Sequence, residues 1–576
     1  MKTKTIKDMK WVINKSADEL LVKQLAEKIK VDENIARLLV QRQICSYDDA
    51  RSFFRPDINE MHDPFLMKDM KKAVLRIEEA VTKDENIMIY GDYDVDGTTA
   101  VAMVFRCLSD QTPHLTFYIP DRYKEGYGIS VAGIDKAVAE DITLIIALDC
   151  GIRAIENVQY AREKGIDMII CDHHTPGEKL PEAFAILNPK RHDCEYPFKE
   201  LSGCGIGYKL LQAYYLHTDI DFEKKEYALQ LSTISTACDI VPMIGENRVL
   251  VFYGLKSINA EAVPGVDALI NLNRRQGELN VSDLVFMIGP KLNAAGRIDH
   301  GSKAVQLLLA ENQNEASEAA KPIEEFNKTR KEIDHKTLED ALEFFEQDED
   351  LKNAKSTVLY KPDWHHGVLG IVASRLIEHY YRPTVILSGS NGLATGSARS
   401  VKGFDINRAI EQCSDLLERY GGHKYAAGLS MKTEFLKEFR LKFEEVVQEA
   451  IGEESLSREL NIDLEIDFDD ITPKFHHIIK RFAPFGPQNM KLVFVTRNAV
   501  TVNHKLVGQD EAHLSMYVKQ QGGEHLFNCI AFNMSDKEAL VRTDPFDIVY
   551  TIEERVWNET TSVQLKVKDI RKSTKG

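Results

Sequence analysis

Between Lys68 and Asn188 the chain switches repeatedly between helical periodicity and short unbroken apolar runs, and this alternation constrains the fold more than any other feature. Met70, Val74, Ile77 and Val81 recur at helical spacing, Ile87–Tyr90 is a short apolar run, and TTAVAMVFRCL is again helix-like. The pattern continues through LTFYI (115–119), VAGIDKAVAE, TLIIAL (143–148), AIENVQYAREKG and DMIIC (167–171). Helix and strand in strict turn predict an α/β domain: a parallel sheet with helices on both faces.

The rest of the chain divides differently. At 576 residues it exceeds what one hydrophobic core can organise, roughly 250–300 residues, so several domains are expected. A highly charged helical stretch from about Glu311 to Asp350, begun or broken near Pro322, reads as a connector. Beyond it STVLYK (356–361), GVLGIVASRLIEHYY, PTVILS and GLATGSARS define a second, smaller α/β domain that ends near Ile451. From Leu492 onward come LVFVTRNAV, HLSMYVK, HLFNCIAF, the helix-like SDKEALVR, FDIVYTIEE and SVQLKVKDI. Five strands with one helix between the third and fourth predict an OB-fold β-barrel.

Composition excludes several classes. With 43% apolar and 28% charged residues and no low-complexity tract, the chain is globular, not disordered. Its opening residues, MKTKTIKDMKWVINKSADEL, hold no apolar core of signal-peptide length, and no run of about 18 apolar residues could span a bilayer, so a cytoplasmic location is expected. The nine cysteines form no CxxC pair, which argues for reduced, packed thiols and against a disulfide or zinc framework. The net charge of −17 argues against indiscriminate coating of nucleic acid while leaving room for a basic groove.

Three successive predicted strands end in acidic or imidazole groups: GDYDVDG after Tyr90, DCG at Asp149, and CDHH at 171–174. Sites in open parallel sheets form at the carboxyl ends of the strands, so these clusters converge. Like charges about 4 Å apart repel by roughly 4 kcal/mol at an effective dielectric near 20, and several converging carboxylates therefore require a cation. Asp oxygen with some His nitrogen suits Mg²⁺ or Mn²⁺. Any one of these Asp residues could instead be a helix N-cap. The Asp92–Gly97 run superficially resembles an EF-hand loop, but the twelfth position is Met103 and the segment lies between a strand and a helix.

Taken together, these motifs resemble the DHH phosphoesterases. GDYDVDGTT is similar to their motif I, ALDCG to motif II, CDHH to motif III and STACDIVPM to motif IV, while GSARS and GGHKYAAG resemble the companion DHHA1 domain. The order DHH, long helix, DHHA1, OB is that of the family's single-strand-DNA exonuclease branch. The resemblance implies an N-terminal helical segment (1–65), a DHH catalytic domain (66–310), a connecting helix (311–352), a DHHA1 domain (353–452) and an OB-fold nucleic-acid-binding domain (453–576).

It further implies that Asp94, Asp96, Asp149, His173 and Asp239 ligate two divalent ions, Mn²⁺ or Mg²⁺, with Asp149 as the bridge. Asp92 supports the first ion, His174 contacts the scissile phosphate, and Asp172 orients its loop. Many relatives carry His where this chain has Tyr90, which leaves the first ion's ligand set open. Arg122, Arg297, Ser397 and Arg399 match the pocket for a 5′ phosphate, and His423 is a DHHA1 signature residue facing the cleft. A lone Arg is otherwise commonly a surface salt bridge, and His423 could equally be a buried cap of its own loop.

The implied activity is 5′-to-3′ exonuclease action on single-stranded DNA, releasing 5′-mononucleotides in recombination and repair. The implied partners are single-strand-binding protein and a RecQ-type helicase, with a monomeric chain; some relatives have a further C-terminal domain that is not expected here. Two other readings stay open: a DHH enzyme for short oligonucleotides or nucleotide phosphates, and a non-catalytic DNA-binding scaffold.

Overall fold

A computed structural model describes residues 9–273, 277–390, 392–451, 456–543, 545–557 and 560–573. Its first sheet has the strand order Leu115–Tyr118, Asn86–Gly91, Ile142–Leu148, Asp167–Cys171, Ala185–Leu187. Every neighbouring pair is parallel. Successive side chains on a strand point to opposite faces, and here both faces are buried. Ile87, Ile89, Leu144, Ile146 and Leu148 enter one core, whereas Met88, Tyr90, Ile145 and Ala147 enter another. Chain order reverses between Asn86–Gly91 and Ile142–Leu148, which opens a crevice at the carboxyl ends of these strands. An all-helical half follows, including Gly203–Thr218, Lys225–Cys238 and Gly245–Ala260, and closes over the larger core.

The connector is one helix, Gln313–Gln347, that runs through Pro322 without ending. Proline in a helix interior costs about 3 kcal/mol, and tertiary packing offsets that here. Ala316, Ala320 and Ile323 are buried in the DHH-side core, and Leu338, Ala341 and Phe345 are buried against Leu359, Val372 and Ile386 of the next domain. The helix thereby fixes one α/β unit against the other. The second unit is a mixed five-stranded sheet ordered Arg419–His423, Ala426–Lys432, Leu393–Arg399, Thr384–Ser390, Thr357–Tyr360.

At the C-terminus, Phe494–Val507, His513–Gln520, Phe527–Ala531, Phe546–Trp557 and Thr560–Lys572 form a closed barrel, because the first strand pairs with both the second and the fourth. The helix Glu538–Thr543 lies between the third and fourth strands, as the sequence pattern predicts for an OB-fold.

The N-terminal helices Glu19–Ile29, Glu33–Val40 and Tyr47–Phe54 share their core with the barrel region: Val22, Leu25, Leu38 and Phe53 are buried in one cluster with Phe475, Phe482, Phe494 and Leu514. Lys10–Ile13 also pairs in parallel with Glu459–Ile462. The buried Arg248 pins this assembly to the helical half of the first domain. It donates to the carbonyls of Phe53, Arg481, Phe482, Ala483 and Pro484, at 2.9–3.3 Å. Burial pushes its pKa down to about 9, and the five carbonyls satisfy the guanidinium. No helix among the described residues is long and apolar enough to cross a membrane.

Candidate metal centre and phosphate pocket

Each strand end delivers one part of the centre. After Asn86–Gly91, Asp94 caps the helix Val95–Leu108 by accepting from the Gly97 amide at 3.1 Å. Asp96, one turn on, is buried and accepts from the amides of Gly203 and Cys204, both at 2.7 Å, and from Ser235 Oγ at 2.6 Å. The N-terminus of helix Gly203–Thr218 therefore holds this carboxylate in place. Asp149 follows Ile142–Leu148 in a left-handed turn, φ 59°. His173 and His174 follow Asp167–Cys171, and Asp239 ends the helix Lys225–Cys238.

His173 Nε2 lies 3.3 Å from Asp149 Oδ1, 3.5 Å from Asp239 Oδ2 and 3.8 Å from Asp96 Oδ2. Two overlapping groups result, Asp149 with His173 and His174, and Asp96 with His173 and Asp239, each with donor atoms within 4.8 Å of one another. Burial, then Asp96 and Asp94, push Asp149 and Asp239 well above the usual carboxylate range. Burial and Asp94 do the same to Asp92. Buried oxygens of Asp92 and Asp149 and one ring nitrogen of His173 have no hydrogen-bond partner.

Carboxylates crowded against one another and against a buried imidazole, with an Asp149 oxygen left unpartnered, are the environment a divalent cation satisfies, and this donor set fits one that takes oxygen with some imidazole nitrogen. Burial holds His173 below its ordinary pKa against the pull of Asp96, so the ring is neutral, as a ligand must be. Asp94 and Asp92 lie beside these groups but belong to neither: Asp94 gives one oxygen to its helix cap, and Asp92 is buried under the Arg122 charge.

Asp172 does a different job. Its Oδ1 accepts from His174 Nδ1 at 2.8 Å and from the His174 amide at 3.0 Å, while Oδ2 accepts from the Ile152 amide at 2.9 Å. Burial alone would raise the Asp172 pKa, but the His174 hydrogen bond and charge win and lower it; burial likewise opposes, and Asp172 outweighs, in raising His174. Tyr90 is fully buried in the opposite core, its hydroxyl donating to Gly128 O at 2.9 Å and accepting from the Ser130 amide at 3.0 Å, so it adds no donor to the centre.

A second cluster, of positive charge, lies where the two α/β units meet. Arg122 covers the Tyr93 ring at 4.7 Å. Arg297 donates to Gly367 O at 2.7 Å, and Tyr123 donates to the Arg297 carbonyl. Arg399 donates to Ser397 Oγ at 2.7 Å and packs so closely on the first turn of Leu369–His379 that a Cβ on Gly370 would meet its Nη2 at 2.5 Å. Burial, reinforced by Arg122, Arg330 and Arg399, pushes Arg297 down to about 10; burial and Arg122 lower Arg399. Neither Arg297 nor Arg399 has a carboxylate within ion-pair distance among the described residues.

Mutually repelling, half-buried guanidinium groups beside a helix N-terminus have the charge and the donors to accept an anion. Arg330, on the connecting helix, is one the sequence reading missed, because one more basic residue in a charged helix carries no signal. His423 ends the strand Arg419–His423, exposed; burial and the charges of His174, Arg153 and Lys190 lower its pKa, which places it across the cleft from the CDHH loop.

The fold and the paired charge clusters define a DHH-type phosphoesterase. Family models match at residues 86–236 (DHH family, N-terminal domain), 353–449 (DHHA1 domain) and 462–569 (RecJ OB domain). The single-stranded-DNA-specific exonuclease RecJ of Bacillus subtilis strain 168 is 36% identical over 97% of this chain and 70% of its own length. That of Escherichia coli K12 is 34% identical over 81% of this chain and 84% of its own. The chain belongs to the RecJ family. Among solved structures, RecJ of Thermus thermophilus in complex with Mn²⁺ shares the fold over 98% of this chain and 80% of its own, with a TM-score of 0.84 at 24% identity. An exonuclease RecJ bound to manganese is 30% identical, covering 68% of this chain and 97% of its own, with a TM-score of 0.59.

Proposed function

We propose that this protein is a divalent-metal-dependent exonuclease that degrades single-stranded DNA from its 5′ end to 5′-mononucleotides. The observation that carries the reading is the set of converging donors of buried Asp96, Asp149 and His173 and half-buried Asp239, with a cluster of arginines across the same cleft. The relatives' activity on single-stranded DNA supports the substrate class.

Asp94, Asp96, Asp149, His173 and Asp239 would hold two ions, Mn²⁺ or Mg²⁺, with Asp149 shared between them and Asp92 behind. Ions bound there supply a deprotonated water at neutral pH and offset charge on the phosphate oxygens. The chain's own residues do the rest. Asp172 aims His174 through its Nδ1, so that the other ring nitrogen can donate to a phosphate oxygen as charge develops there. Arg122, Arg297, Arg399 and Ser397 grip the terminal 5′ phosphate, which sets the polarity. His423 closes on the scissile nucleotide from the DHHA1 side, and the barrel holds the trailing strand.

The same reading has the protein act in the cytoplasm, as a monomer in recombination and repair beside single-strand-binding protein and a RecQ-type helicase. The direct test is degradation of a single strand labelled at either end, with Mn²⁺ and with EDTA. Labelled mononucleotide should appear first from the 5′-labelled strand, and only with metal. Release from the 3′ end, or equal rates in EDTA, would sink the reading.

A further inference from the structure

The loop Pro120–Ser130 carries Arg122 of the phosphate pocket and, five residues on, a tyrosine that belongs to neither charge cluster. Tyr127 is half-exposed at the cleft, bracketed by Gly126 and Gly128, both with positive φ (87° and 84°). Its hydroxyl donates to the Asp149 carbonyl at 2.9 Å and lies 3.3 Å and 3.4 Å from the two nitrogens of His174, with the rings edge to face. One phenol thus bridges the ends of two neighbouring strands, those that deliver Asp149 and His174.

The loop is fixed from behind. Tyr90 spends its hydroxyl on Gly128 O at 2.9 Å and the Ser130 amide at 3.0 Å, one residue beyond Tyr127 and three. Glu125 tightens the same turn, accepting from Ser130 Oγ, from Tyr118 at 2.9 Å and from the Asp121 amide at 2.8 Å.

We propose that Tyr127 is a positioning residue for His174, and that the Tyr90 hydroxyl acts through the loop to hold Tyr127 there. The Asp172 contact fixes His174 Nδ1 but leaves the ring free to turn about that bond. The phenol oxygen beside the ring removes this freedom and sets the direction in which the remaining nitrogen faces a phosphate.

The proposal rests on the phosphodiesterase reading, and wild-type turnover in the same assay separates the two. An inactive wild type would sink that reading, whereas an active wild type with unaffected variants would sink only this one. In Tyr127→Phe, kcat on a 5′-phosphorylated single strand should fall about tenfold, with KM and the half-saturating Mn²⁺ concentration within twofold of wild type. Tyr127→Leu should match it in kcat. Tyr90→Phe should lower kcat in the same direction, and the double variant Tyr90→Phe/Tyr127→Phe should be no more than twofold worse than Tyr127→Phe, because both act on one contact. Wild-type kcat in Tyr127→Phe overturns the proposal. So does a loss in KM that appears with Leu and not with Phe, which would make Tyr127 a stacking surface for a base, or a shift confined to the Mn²⁺ requirement. Multiplicative losses in the double variant would remove Tyr90 from the mechanism.

Discussion

The metal centre and the arginine pocket are built on the same principle with opposite sign. In one, carboxylates crowd one another around a buried imidazole; in the other, half-buried guanidinium groups crowd one another, and neither Arg297 nor Arg399 has a carboxylate partner among the described residues. Each is electrostatically incomplete, and each is completed by what it binds. The difference lies in what a substitution removes: at the metal centre a shared ligand, in the pocket one of several redundant charges. The two regions should therefore respond to mutation in different kinetic constants.

The largest effect is expected at the bridge. Asp149→Ala should lower turnover about a thousandfold or more under saturating Mn²⁺, since losing the shared carboxylate removes the metal chemistry on which the reaction depends. Retention of even a tenth of wild-type activity would mean that Asp149 is not shared between two ions. Arg399→Ala should act instead on KM. A hydrogen bond to a charged group is worth about 1.5–3 kcal/mol, so KM for a 5′-phosphorylated strand should rise about 10- to 100-fold, and the preference for a 5′ phosphate should shrink. Equal preference in wild type and variant would take Arg399 out of the pocket.

The barrel sharpens the contrast, because it has exposed aromatics in place of a charge cluster. Tyr517 and Phe532 are exposed on it, with Lys566 over the Phe532 ring at 5.6 Å. Stacking is worth roughly 1–3 kcal/mol per base, so Phe532→Ala should raise KM for long strands about fivefold and leave di- and trinucleotides unchanged. Point substitution is the right tool here. Deleting the barrel would strip Val22, Leu38 and Phe53 of their cover and unfold the N-terminal helices with it.

The smallest effect concerns stability. Asp149 and Asp239 have folded pKa values raised above the unfolded one, near 4, so their contribution to stability is present at low pH and is lost as pH rises through the raised values. The metal-free protein should lose a few degrees of thermal midpoint as pH rises from the unfolded carboxylate range, about 4, and Asp149→Asn should flatten that slope. A slope unchanged in the variant would locate the pH dependence elsewhere.

What could be read from the sequence follows from how local each signal is. The strand-end motifs are contiguous, and the parallel sheet turns contiguity into convergence, which is why Asp96, Asp149 and His173 could be brought together before their distances were known, whereas Asp239, at the end of a helix, was named only by resemblance to motif IV. The OB barrel was legible from strand count and helix placement for the same reason. Arg330 and Tyr127 were not, because their roles arise from contacts between elements far apart in the chain. Pro322 misled as a helix boundary because packing on Ala320 and Ile323 outweighs its local cost. The shared core of the N-terminal helices and the barrel joins segments more than 400 residues apart and leaves no local trace.

The most direct test of the electrostatic claim is to count ions. Titrating the metal-stripped protein with Mn²⁺ by calorimetry should give two ions per chain for wild type and at most one for Asp149→Ala, with Arg399→Ala still binding two. Two ions in Asp149→Ala, or none in wild type, would contradict a centre built around that carboxylate.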